Sequence, residues 1–126
     1  MKKLIILIII LFLSSCDPGY TLSYQSLPPQ YVQKEIDRLK GDVYILDVRT
    51  QEEYDTGHVK NAILIPEDQL LEKAEEILTD KDKNIFVYSG MDNKSQKAAK
   101  LLISLKYHYV YDFGNIILWE GEIEQE

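Results

Sequence analysis

The 126-residue chain holds one cysteine, two histidines, four prolines and one tryptophan. With Cys16 alone, no intramolecular disulfide can form. His58 and His108 do not by themselves make a Cys/His zinc site, so no metal and no cofactor is expected. Positive charge is also scarce: 14 Lys and Arg stand against 21 Asp and Glu, for a formal net charge of −7. An acidic chain does not attract nucleic acid or an anionic lipid surface electrostatically. The acidity describes a solvated surface. Long apolar runs are absent too. The run from Leu4 to Leu13 has ten residues. As a helix it reaches roughly 15 Å, about half of a hydrocarbon core, so it is too short to span a bilayer.

The flanks of that run say what it does. Lys2 and Lys3 precede it and Leu13-Ser14-Ser15-Cys16 follows it, which reads as a secretion signal. Leu-Ser-Ser-Cys also resembles the lipobox of bacterial lipoproteins. That resemblance implies cleavage before Cys16, a thioether-linked diacylglyceryl group on its sulfur, and acyl chains such as palmitate. The alternatives are an uncleaved signal anchor or an ordinary signal peptide cut near Cys16. Residues 1–15 are thus the signal, and residues 16–20 are the lipidated N-terminus and tether, marked by Asp17-Pro18-Gly19 turn chemistry. Residues 21–126 form one domain of ordinary size. Removing Lys2 and Lys3 takes the net charge to −9. The mature protein is expected in the cell envelope, on the extracytoplasmic side, attached to the lipid bilayer through acylated Cys16 but not crossing it.

Beyond the tether, strand and helix patterns alternate. Thr21 to Leu27 can form a short strand, and Pro28-Pro29 opens a helix carrying Val32, Ile36 and Leu39 on one face, with Gly41 after it. Val43 to Val48 and Ile85 to Tyr88 fit buried strands. Ala62 to Ile65 is a shorter strand stopped by Pro66. Asp68 to Leu78 puts Leu70, Leu71, Ala74, Ile77 and Leu78 on one helical stripe. Asn93 to Lys106 is a helix with Ala98, Leu101, Leu102 and Leu105 inward. Tyr109 to Tyr111 is a last strand, and Ile116 to Trp119 a short closing helix. The alternation predicts an α/β domain with a parallel sheet and helices on its faces. Sites in such folds form at the carboxyl ends of strands. Here those places are the end of the 43–48 strand and the loop Ser89 to Lys94.

Tyr44-Ile-Leu-Asp-Val-Arg49, Glu52-Glu-Tyr-Asp-Thr-Gly-His58 and Ala62-Ile-Leu-Ile-Pro66 stand in order, and together they resemble the rhodanese family of sulfurtransferases. Gly114-Asn-Ile-Ile-Leu-Trp119 resembles that family's late Gly-Gly-x-x-x-Trp element. The resemblance implies a three-layer domain over residues 21–126, with a central parallel sheet of about five short strands. It assigns Asp47, Arg49, Gly57 and His58 to the scaffold around the site. The residues suit those roles. Asp47 and Arg49 can form a charge-assisted pair at a strand end. Gly57 can take a left-handed conformation, and His58 can bond loop backbone. Tyr54 and Trp119 are expected as core aromatics.

The family's sulfur-carrying loop begins with cysteine. Here the aligned loop is Ser89-Gly90-Met91-Asp92-Asn93-Lys94-Ser95, with serine at the cysteine position and both arginines replaced. A persulfide needs a thiolate, and serine has no sulfur. Asp92 about 4 Å from a bound anion would oppose it by about 4 kcal/mol at an effective dielectric of 20. Asp92 can instead cap the next helix, and Asn93 with Gln96 resembles a capping box. Lys94 and the loop amides leave room for weak binding of a small anion. The expected function is that of a membrane-anchored module, inactive in sulfur transfer, which binds or regulates a partner protein not named by the sequence. The alternatives are a thiosulfate or persulfide sulfurtransferase, as family membership implies, or a weak Ser89-dependent transferase or hydrolase.

Overall fold

The computed structural model describes residues 23–126. The expectations for residues 1–15, for acylation of Cys16 and for the tether at 16–20 fall outside the described residues. The chain runs β1 (Gln25–Ser26), α1 (Pro29–Arg38), β2 (Tyr44–Asp47), α2 (Gln51–Thr56), β3 (His58–Val59) and β4 (Ile63–Leu64). A 3-10 turn (Glu67–Gln69) then leads to α3 (Leu70–Ile77), β5 (Ile85–Ser89), α4 (Lys94–Ser104) and β6 (Val110–Asn115). A second 3-10 turn (Ile116–Leu118) and β7 (Ile123–Glu124) close the chain. Five strands form one sheet in the order β1-β6-β5-β2-β4, and every neighbouring pair is parallel. The pair β3–β7 is a separate antiparallel ribbon.

The sheet is covered on both faces, which is why its central strands read as continuous apolar runs. All five residues of β5 are buried, and they alternate between the two sides as a strand must. Ile85 and Val87 join Leu46, Val48, Leu70, Ala74, Ala98 and Leu102 on the α3–α4 side. Phe86 and Tyr88 join Ile45, Val32 and Phe113 on the α1 side. Pro29 begins α1, where its missing N–H is harmless. Lys40 and Gly41 end the turn after it, both with positive φ.

Several elements differ from the sequence reading. The first turn of the 68–78 segment is 3-10, and the helix proper starts at Leu70. Only Leu70, Ala74 and Leu78 are fully buried there, while Leu71 and Ile77 are exposed. That helix reaches the core through a narrow stripe of one residue per turn, not a broad face. In α4, Ala98, Ala99 and Leu102 are the buried positions, with Leu101 and Leu105 packed at the margin. β6 is twice as long as expected and carries buried Asp112. Gly57 is not left-handed: its φ of 163° and ψ of 127° are extended. What it provides is closeness, because a Cβ there would lie 3.3 Å from Ile123 Cγ2 on β7.

Candidate functional site

The carboxyl ends of β2, β5 and β6 lie side by side. Tyr88 is level with Asp47 on one side, and Ser89 is level with Asn115 on the other. The end of β2 carries a closed polar network. The Arg49 guanidinium donates through Nε and Nη2 to both Asp47 oxygens at 2.7–3.1 Å, and Nη2 also reaches Gly57 O at 2.7 Å. The Tyr88 hydroxyl donates to Asp47 Oδ2 at 2.6 Å and accepts from the Val59 N–H at 3.1 Å. Asp47 and Tyr88 are fully buried and Arg49 is nearly so. Burial opposes the Arg49 charge, but the Asp47 hydrogen bonds and charge outweigh it, and its pKa rises above the ordinary value. Burial, with the Asp47 charge, pushes the Tyr88 phenol far up.

Ser89 is buried at the end of β5. Its Oγ accepts the Ser95 N–H at 3.2 Å and faces Gly90 O at 3.4 Å. The serine hydroxyl therefore satisfies one of the free amides at the start of α4, the role of a capping oxygen. The capping expected from the loop itself is different. Asn93 is left-handed, with a φ of 57°, and its side chain makes no cap hydrogen bond. Asn tolerates that backbone, and the amide two residues into the helix is already taken by Ser89. Asp92 accepts only a long 3.4 Å bond from the Lys94 N–H and pairs with Lys94 Nζ at 3.6 Å. Ser89→Ala should cost about 1 kcal/mol through the lost cap, measured as a shift in the urea midpoint.

A cavity of about 280 Å³ opens over this loop, lined by Ser89, Gly90, Met91, Asn93, Asp112 and Asn115 among others. Its charge is acidic. Asp112 is one wall, Asp92 stands in the loop, and Glu53 Oε2 lies 3.4 Å from where a Gly90 Cβ would be. Lys94, the loop's own cation, is paired with Asp92, and Arg49, whose Cδ lies 3.9 Å from the same Gly90 position, is paired with Asp47. Glu53 and Asp112 were not foreseen. Thr50-x-x-Glu53 was a legible capping box: Thr50 Oγ1 accepts the Glu53 N–H at 3.2 Å and starts α2.

The two histidines lie elsewhere. His58 is buried; its Nδ1 is 2.8 Å from Tyr54 O, and its ring stacks on Tyr54 at 3.7 Å. His108 Nδ1 lies 2.6 Å from Asp82. Neither lines the cavity, so Ser89 has no imidazole base beside it. Tyr54 is only part-buried, with its hydroxyl on Ala62 O at 2.8 Å. Trp119 packs on Phe113 and also lines a surface groove with Gln33. Among the described residues, no group of three or more His, Cys, Asp or Glu is arranged to hold a metal ion.

Comparison with known proteins places this geometry. A family model described as a rhodanese-like domain matches residues 28–116. The thiosulfate sulfurtransferase GlpE of Coxiella burnetii is 33% identical over 83 residues, covering 65% of this chain and 76% of that protein. The tRNA uridine(34) hydroxylase of Photorhabdus laumondii is 32% identical over 115 residues, 87% of this chain. The chain spans only about a third of that relative, 32% of its length. Among solved structures, the Alr3790 protein from Anabaena superposes with a TM-score of 0.72 at 26% identity, covering 79% of this chain and 91% of that one. A rhodanese with anions from E. coli gives a TM-score of 0.62 at 26% identity, covering 66% and 98%.

Proposed function

Because the chain belongs to the rhodanese-like domain family, we propose that it is a non-catalytic member, held on the extracytoplasmic side of a membrane by acylated Cys16 and acting by binding a partner. The observation that carries this reading is the state of Ser89, whose buried hydroxyl caps α4. Sulfur transfer of the family's kind needs a thiolate that attacks the outer sulfur of thiosulfate and releases sulfite. A serine hydroxyl cannot hold that sulfur as a persulfide, and neither histidine lines its cavity to take its proton. Thiol pKa values begin near 8.5 and fall in electropositive loops. This loop has Glu53, Asp92 and Asp112 around it instead, and the nearby Arg49 guanidinium is already held by Asp47. The same carboxylates oppose a bound small anion. Cys16 cannot stand in for the missing thiol if it carries a thioether.

The test is thiocyanate formation from thiosulfate and cyanide. The wild-type protein should give no more thiocyanate than Ser89→Ala, and a Ser89-dependent rate would overturn the proposal. Ser89→Cys should remain slow, because the thiol it installs still sits among carboxylates. The anchor is tested separately. Cys16→Ser should release the protein from membranes and abolish labelling by a radioactive acyl donor.

A further inference from the structure

The 3-10 turn Ile116–Leu118 stands between two hollows at the carboxyl end of the sheet. Before it, Asn115 and Met91 line the cavity of about 280 Å³ over the Ser89 loop. After it, Leu118 and Trp119 line a groove of about 600 Å³ with Pro29, Gln30 and Gln33 of α1. The turn itself is apolar and faces water. Met91 is 88% exposed and Ile117 75%, the highest values for large apolar side chains among the described residues, and Leu118 is 63% exposed. Ser89 pairs with Asn115, and Met91 and Ile117 each stand two residues beyond that pair. They therefore leave adjoining strand ends, about 4.8 Å apart, and border one patch. Exposed apolar side chains grouped in this way mark a contact surface.

The first hollow lacks a cation. Asp112 is only 5% exposed, and its Oδ1 accepts the Gly114 N–H at 2.9 Å. Among the described residues, Oδ2 accepts no hydrogen bond and no Lys, Arg or His pairs with this carboxylate. No fully buried side-chain oxygen or nitrogen among them is without a partner, so Oδ2 is open, and its opening is the cavity that Asp112 lines. A largely buried carboxylate is costly until a cation answers it. Asp47, Glu53, Asp92 and Asp112 stand there against Arg49 and Lys94, four carboxylates to two cations, and Asp47 and Asp92 already hold those two. The charge left over is negative. The groove beyond the turn is balanced, with Lys34 and Glu120 in its walls. The Trp119 Nε1–H donates to Glu122 O at 3.3 Å, which leaves the apolar surface of the indole to the groove. A Cβ at Gly121 would lie 2.7 Å from Trp119 Cζ2, so the main chain backs the ring closely and holds it in place.

We propose that a partner protein docks here through a short segment that puts a lysine or arginine into the Ser89 cavity, toward Asp112, and lays a neighbouring apolar side chain across Ile117 and Leu118 into the Trp119 groove. This names the chemistry of the partner and rests on the reading of the protein as a binding member of its family. A free small cation would use the carboxylates but not the apolar turn. An anionic lipid surface could use the turn, but the carboxylates repel it. A protein segment that carries both features uses both. The stem of a lysine or arginine can lie along Met91 while its head reaches the acid.

The test displays short random peptides on phage and selects them on the full protein reconstituted in phosphatidylcholine vesicles, with empty vesicles as the counter-selection. Enriched peptides should carry Lys or Arg within a few residues of Leu, Phe or Trp. One of them, labelled with a fluorophore, is then titrated by anisotropy. Asp112→Asn keeps the Oδ1 acceptor for Gly114. It and Ile117→Ser should each weaken binding about tenfold. Replacing the peptide's cation by Gln should abolish the effect of Asp112→Asn. Leu71→Ser, at an exposed apolar position on α3, should change nothing. The proposal is overturned if nothing is enriched, if the enriched peptides are acidic or uncharged, or if binding ignores Asp112→Asn or falls equally with Leu71→Ser. It is also overturned if Ile117→Ser removes self-association or vesicle adhesion and spares peptide binding, because the patch then serves a second copy or lipid. Thiocyanate formation separates this proposal from the non-catalytic reading. A Ser89-dependent rate with peptide binding intact removes that reading and leaves the docking site, while no rate and no peptide binding does the reverse.

Discussion

Asp47→Asn should destabilise the protein by about 3–5 kcal/mol, the range expected when one partner of a buried ion pair is removed. The substitution keeps the side chain's shape but leaves the Arg49 guanidinium without its counter-charge in a buried site. It also weakens the acceptor for the Tyr88 hydroxyl. Since domains of this size hold only about 5–15 kcal/mol in total, much of the protein should unfold at modest urea concentrations. A double-mutant cycle with Arg49→Met, read by urea titration, separates the pair from its parts. The double variant should be more stable than Asp47→Asn alone, because no orphan charge remains. If Asp47→Asn costs less than about 1 kcal/mol, the network is not a structural centre and the buried-pair reasoning fails.

Alkaline pH should act through two other buried groups. Burial, helped by the Glu75 charge, raises the Tyr107 phenol to about 12, and Tyr88 is pushed higher still. Both pKa values lie above the unfolded value near 10, so both phenols are held neutral in the folded state. Their stabilisation is fully present below pH 10. It is lost as pH rises from 10 through about 12 for Tyr107, and beyond that for Tyr88. Each phenol contributes a slope approaching about 1.4 kcal/mol per pH unit within that window, so both together remove about 4 kcal/mol between pH 10 and 12. Urea midpoints measured across that range should fall steeply. Tyr107→Phe should roughly halve the slope, after an initial loss from the unpaired Leu78 carbonyl that Tyr107 now serves at 2.6 Å. Tyr109→Phe, at an exposed position, should leave the slope unchanged.

Much of this arrangement could be read from residues alone, for identifiable reasons. Val43 to Val48 and Ile85 to Tyr88 are legible because a strand covered on both faces is apolar throughout. The Asp47–Arg49 pair was legible because two opposite charges at one strand end have a short, strong way to meet. Helix α2 was missed because Gln51–Thr56 has no apolar stripe; its signal was the Thr50–Glu53 cap, not periodicity. The ribbon β3–β7 was missed because two-residue strands carry no pattern, and Ile123 follows nothing that predicts pairing with Val59. The loop was half legible. The identity of Ser89 is in the sequence, but the destination of its hydroxyl is not. Side-chain direction decided that Ser89, not Asp92 or Asn93, caps α4. Glu53 and Asp112 approach the loop from α2 and β6, and closeness between separate elements has no local signature.

The pairing of β1 with β6 bears on how the protein is made. Gln25 and Ser26 meet Tyr111 and Asp112, so the first strand to leave the synthesis or export machinery finds its neighbour only when almost the whole chain has followed. Contacts of such wide sequence separation close late. On the proposed membrane-anchored reading, that late-closing seam is also the one nearest the anchor.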